Sequence, residues 1–231
     1  MGVAWNRVYK KESGMKYAYV ALVALGLLVG ERSDAVGVGV VRSYGVKLGV
    51  VSAGQSWDYS GGMSGLKVFD KRISGLAVGG YVEWLAIPTI SLVTEVDYAQ
   101  KGCRDAVNVL SEGSPVPTGT MTIRPRLDYV SIPVLLKLRY GLSFGSVYGL
   151  AGPRYDILVG KRGDSRVAEV FDHVKSADYG ITLGVGIELA SLLTKRLGAE
   201  FRYSPNFRKI FTSELLAVKN NSFEFMAVVG F

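Results

Sequence analysis

Acid–base and nucleophilic chemistry need a histidine, a thiol or closely set carboxylates, and this chain has one histidine and one cysteine. His173 lies in the stretch FDHVK, beside Asp172 and three residues before Ser176. A histidine next to a carboxylate and a hydroxyl could serve a loop-borne lipid hydrolase. No nucleophile motif frames it, so His173 reads as a histidine tolerated in a surface loop. Cys103 could carry a lipid anchor or an intermolecular disulfide, but a passive thiol is the expected state, and an internal disulfide has no second partner. Metal-ligand spacings do not occur. Gly184-Val185-Gly186 resembles part of a dinucleotide fingerprint, yet it falls inside a strand pattern with no helix after it. The sequence therefore predicts no catalytic residue, no metal and no cofactor.

What remains is charge, and it recurs on every second residue of apolar stretches. Lys47, Glu83, Glu95, Asp97, Lys137, Arg139, Asp178, Glu188, Glu200, Arg202 and Glu224 all lie on the parity opposite branched and aromatic residues. Both signs are present, so the groups can pair with one another. In a soluble ligand-binding barrel the apolar parity would point inward; here the charged parity must do so, and the greasy parity must meet lipid. Such charges might relay protons or pass a small ion, but the expected role is structural, pairing across a narrow lumen.

The elements that must position these charges are strands. The last stretch, NNSFEFMAVVGF, alternates Phe223, Phe225, Ala227, Val229 and Phe231 against Glu224, Met226, Val228 and Gly230. Period-two alternation is the signature of a strand. Phe223, Phe225 and Phe231 mark it as a C-terminal assembly strand that closes a barrel by pairing with the first strand. Seven more stretches show similar alternation: 43–55, 73–86, 90–100, 126–140, 147–159, 177–190 and 197–204. Parity blurs at Gly152-Pro153, which predicts a bulge or bend. The connections run long, short, long, short, with long ones at 56–72, 101–125, 160–176 and 206–219. Short periplasmic turns and long extracellular loops give that rhythm, and eight strands leave an interior just wide enough for side chains. Tyr44, Trp84, Tyr98, Tyr140 and Phe231 fall near strand ends on the outward parity, as interfacial girdles would. The expected fold is all-β: an eight-stranded antiparallel up-and-down transmembrane barrel over 43–231.

Composition agrees. Hydrophobic residues make up 48% of the 231-residue chain, yet no run of about twenty apolar residues marks a spanning helix. A formal charge of +7 raises the question of nucleic acid, but the basic residues are scattered and no recognition motif frames them, so no nucleic-acid partner is expected. Residues 15–35 carry Lys16 ahead of an apolar core from Tyr17 to Val29 and small residues at Ser33 and Ala35. That is a signal peptide pattern, with cleavage after Ala35 and residues 1–14 as an upstream extension.

At RLDYVSIPVLLKLRY (126–140), with SLVTEVDYAQKG (91–102), VYGLAGPRY (147–155), DYGITLGVGIE (178–188) and EFRYSPNF (200–207), the chain resembles the porin-like outer-membrane β-barrel family of Bacteroidota-type bacteria, including PorT-like small barrels. The resemblance implies a bacterial outer-membrane location in a Gram-negative cell envelope and insertion by the barrel assembly machinery; it brings no shared catalytic residues. The expected function is non-enzymatic: a barrel with a charged, plugged lumen that supports envelope integrity or binds through its loops. The alternatives are a narrow channel or secretion accessory, and a loop-borne hydrolase. Expected partners are outer-membrane lipid, lipopolysaccharide and a surface protein. The loop 206–219, with Arg208, Lys209 and Lys219 beside Phe207, Ile210, Phe211, Leu215 and Leu216, could touch lipopolysaccharide phosphates or a protein, but a plain connecting loop is the expected state.

Overall fold

A computed structural model describes residues 40–60, 69, 71–85, 87–110, 117–162, 173–189, 196–213 and 216–231. The signal-peptide segment and the upstream extension lie outside them.

Among the described residues ten strands form: β1 (Val41–Tyr59), β2 (Lys71–Trp84), β3 (Ile90–Leu110), β4 (Pro117–Ile123), β5 (Arg126–Leu142), β6 (Gly145–Arg162), β7 (Ala177–Leu189), β8 (Arg196–Pro205), β9 (Phe211–Thr212) and β10 (Leu216–Gly230). Eight of them make a ring in the order β1-β2-β3-β5-β6-β7-β8-β10, every neighbour antiparallel. β1 and β10 close it, in register from Gly45↔Gly230 to Tyr59↔Leu216. Closure matters because an unpaired backbone edge cannot be satisfied in hydrocarbon.

The wall is inside out relative to a soluble domain. On β7 the outward Leu183 and Val185 are 45% and 62% exposed, whereas on β8 the inward Glu200 and Arg202 are 2% and 1% exposed. The outward residues form a continuous apolar band. Aromatic residues rim it at both ends: Tyr98, Tyr155, Tyr179, Tyr203 and Phe223 near the long connections, and Tyr44, Trp84, Tyr140 and Phe231 near the short turns. Phe223 stacks on Phe201 and Tyr203, and Tyr44 on Phe231 across the closing seam. The end carrying the long connections is called the upper end here.

Three expectations need correction. First, no bulge occurs at Gly152-Pro153. Gly152↔Thr182 and Pro153↔Ile181 stay in register with β7, and Pro133↔Arg154 and Leu136↔Ala151 keep one register with β5. The missing proline donors cost ladder hydrogen bonds without shifting the strands, and the β5–β6 shift lies at Asp128/Tyr129 instead. Second, 101–125 is not simply a loop. β3 runs on to Leu110 and pairs with β4, so a two-stranded ribbon rises past the aromatic rim. Gly102, with φ of 152°, sits where that ribbon leaves the wall, a conformation side chains resist. Third, the described part of 206–219 does not turn all its apolar residues outward. β9 pairs with β10, Ile210 is fully buried, and Phe211 and Leu216 pack against the same cluster, leaving Phe207 exposed.

Candidate functional site

Alternation puts one side chain in two from every strand into the lumen, and the eight-stranded ring is narrow enough for opposite walls to touch. Counting round it, β3 and β8 are four strands apart, and so are β5 and β10. Glu95 on β3 nevertheless accepts a hydrogen bond from Arg202 on β8, Nη1 to Oε2, at 2.7 Å. Tyr129 on β5 accepts one from Asn220 on β10, at 3.1 Å. These contacts span the full bore.

The inward groups form three tiers. At the lower end Glu83 meets Lys137 at 3.2 Å, Arg139 at 2.8 Å and Arg42 at 3.3 Å. Glu188 shares Lys137 at 3.2 Å, with Arg139 and Arg196 farther off. The middle tier is the most enclosed. Lys47 Nζ lies 2.7 Å from Glu95 and 2.9 Å from Glu200. Arg202 bonds both of those carboxylates, and Asp97 stands 3.7 Å from its guanidinium. The Tyr148 hydroxyl donates to Glu200 at 2.8 Å, and its ring is accommodated because the facing residue on β7 is Gly186. Likewise Gly79 leaves room for the Asp97 carboxylate. In the upper tier Lys101 meets Asp156 at 2.6 Å, Arg154 bridges Asp156 and Glu224, and Asn206 donates to Asp156. Asp178 accepts from Asn220, which also accepts from Gln55.

The structure thus brings Lys47, Glu95, Asp97, Glu200 and Arg202 into one cluster and Glu83, Lys137, Arg139 and Glu188 into another, with Asp178 and Glu224 in the third. Sequence reasoning missed Lys101, Arg154, Asp156 and Asn220. Lys101 falls one residue past the expected end of the third strand, and Arg154 and Asp156 follow the expected bend at Gly152-Pro153. Extending β3 and β6 at unbroken parity would have placed all three on the charged side.

Above the charged tiers the interior changes character. Cys103, Ile123, Leu127, Tyr129, Val174, Ile210 and Val218 form a buried apolar cluster, with Trp57 stacked on Phe69 beside it. Lys175 N–H donates to the Ile210 carbonyl and Ile210 N–H to Val218, drawing the returning loop over the bore. Cys103 is fully buried here and donates its S–H to Gln55. His173 is exposed just before β7, and Asp172 lies outside the described residues. Among the described residues no group of three His, Cys, Asp or Glu side chains could hold a metal ion. A cleft of about 690 Å³ opens on the outer face, between Val147, Val185, Ile187 and Phe201, where Gly149 and Ala199 leave the apolar surface thin.

A closed antiparallel ring with greasy walls and an ionised interior is the architecture of a membrane barrel. The family model for the outer membrane protein beta-barrel domain matches residues 41–212. The chain belongs to that family. It is accordingly a protein of the bacterial outer membrane. Among solved structures this outer-membrane barrel is similar to OprG from Pseudomonas aeruginosa, at 13% identity and a TM-score of 0.44, covering 83% of this chain and 96% of that one. It is also similar to Ail, the attachment invasion locus protein of Yersinia pestis, at 15% identity and a TM-score of 0.41, covering 82% and 98%. Neisserial surface protein A matches at 14% identity and a TM-score of 0.41, covering 81% and 95%. Comparison with curated proteins gives no match.

Proposed function

We propose that this outer-membrane barrel is a closed, non-enzymatic scaffold. It spans the outer membrane with a charge-packed lumen and holds the β3–β4 ribbon at the cell surface as a binding element for a surface partner. The observation that supports this best is the contact of opposite walls: Glu95 with Arg202, and Tyr129 with Asn220, under a cap sealed by Ile210 and Val218. Ions crossing the bore would have to break buried pairs whose separation leaves charge unsolvated. A rigid plug suits a protein that works through its ends. In this reading the long connections face outward, lipopolysaccharide and outer-membrane lipid surround the wall, and the barrel assembly machinery recognises the β10 strand through Phe223, Phe225 and Phe231 (38%, 57% and 49% exposed).

Planar-bilayer recording of the purified, folded barrel tests the closed state. No steady conductance is expected. Unitary current that survives reversal of the applied potential would favour the narrow-channel reading and overturn this one.

A further inference from the structure

The net charge of +7 is not spread evenly over the molecule. Directly above the upper aromatic rim, four consecutive ring strands carry a run of cations. Register places Lys71 of β2 opposite Arg104 of β3, and Arg126 of β5 opposite Arg162 of β6. Like charges directly opposite on neighbouring strands destabilise a sheet, so the Lys71–Arg104 pair works against the fold and the Arg126–Arg162 pair does so to the extent that one carboxylate leaves it net positive. The nearby acids do not relieve both. Asp128 is buried and bonds Arg162 at 2.7 Å, while Asp105 accepts from the Phe69 and Ala106 N–H groups. Arg162 keeps its side chain 62% exposed even so, and Arg104 and Lys71 are exposed.

Beside them Arg72 is already posed. Its guanidinium lies 4.7 Å from the Phe223 ring centre and donates to Ser52 and Asn221, on the outer face of the β1–β10 seam. A cation fixed against the aromatic rim marks the height of lipid headgroups. Asp128 offsets part of the Arg126–Arg162 repulsion, and Arg126 donates to Gln100 at 3.3 Å, but an anion bound between the cations at that height would relieve both pairs at once. Guanidinium groups bind phosphate bidentately.

We infer that the upper rim over β2, β3, β5 and β6 is a binding site for the phosphorylated headgroup of an outer-leaflet glycolipid. Arg104, Arg126 and Arg162 are its principal ligands, and Lys71 and Arg72 flank them. A bisphosphorylated sugar carries separated phosphates that can address both cation pairs at once, which a single-phosphate lipid cannot. This site rests on the outward orientation of the upper end proposed above.

The test compares folded wild type and an R104Q/R126Q/R162Q variant in detergent, both confirmed as barrels by the heat-dependent shift in gel mobility. Titration with bisphosphorylated lipid A should show binding at least tenfold tighter than with dephosphorylated lipid A or phosphatidylglycerol, weakening as salt rises. The variant should lose at least tenfold for the bisphosphorylated ligand alone. Equal affinity of variant and wild type would overturn the site. So would equal binding of the dephosphorylated form, which would indicate acyl-chain contacts, or of phosphatidylglycerol, which would indicate general attraction to anions. Orientation is read separately. A Thr120→Cys variant on intact cells should react with a membrane-impermeant maleimide, since Thr120 is exposed on β4 and Cys103 is fully buried. Reaction at Thr120→Cys with unchanged R104Q/R126Q/R162Q affinity would remove the glycolipid site and leave the scaffold reading intact. No reaction would place this end in the periplasm and remove both.

Discussion

The middle of the lumen and its upper cap do the same job, filling the bore, with opposite chemistry. The middle tier uses Lys47, Glu95, Glu200 and Arg202, all nearly inaccessible and mutually bonded. The cap uses Leu127, Ile210 and Val218, which need no partner beyond close packing. The difference follows from what the wall must face. Between the aromatic rims the outward residues meet lipid, so most of the apolar parity is committed outside, and the centre is filled by paired polar groups with smaller apolar clusters around Leu135 and Met226 set among them. Above the rims that constraint lifts, because water lies outside, and the ordinary rule of apolar residues inward returns. The crossover is visible at Cys103, which packs in the apolar cluster and bonds Gln55 in the polar one.

Removing a partner should therefore hurt most in the middle. Arg202→Leu leaves Glu95 and Glu200 to share Lys47 without the guanidinium and is expected to lower stability by about 3–5 kcal/mol. Urea titration of the folded barrel in detergent reads this, and an unmoved midpoint would mean the tier contributes nothing to stability. In the cap only packing is at stake. Ile210→Ala should cost roughly 2–4 kcal/mol by the same titration. It should also speed alkylation of Cys103, which the intact cap shields; labelling no faster than wild type would show that Ile210 does not seal the bore. The smallest effect belongs to the crossover. Cys103→Ser keeps a donor for Gln55 in a nearly isosteric side chain, so a loss below about 1.5 kcal/mol is expected. A larger loss would place Cys103 with the apolar cap alone.

A separate substitution checks the outer face. Val185→Arg, near the middle of the apolar band on β7, should destabilise by about 2–4 kcal/mol in lipid. Indifference of the folded barrel in vesicles to that charge would deny that Val185 faces hydrocarbon.

Strand parity, and with it the inward or outward sense of most residues, was legible in the chain because period two leaves no freedom once one face is committed. Reading failed where parity was abandoned too soon. Pro153 looked like a break, yet Ile132↔Tyr155 and Pro133↔Arg154 hold one register around it, because neighbouring ladder bonds outweigh one lost donor. The stretch 101–125 looked like a loop, and its β3–β4 ribbon escaped notice because β4, PTGTMTI, carries little apolar alternation, and its Gly119 and Thr120 are exposed.

By itself, then, the chain settled the fold class, the closing role of β10 and the inward side of the charges within unbroken alternation, such as Glu95 and Arg202, since all three depend on local alternation and on which solvent each face meets. Only the tertiary structure decided which charge meets which. Lys47 finds Glu200 at a separation of 153 residues and Arg202 finds Glu95 at 107, and the stagger of eight closed strands sets those heights. The folding of Ile210 inward over the bore was likewise settled in space, because the same residues could as well have faced lipid or a partner until β9 and β10 paired.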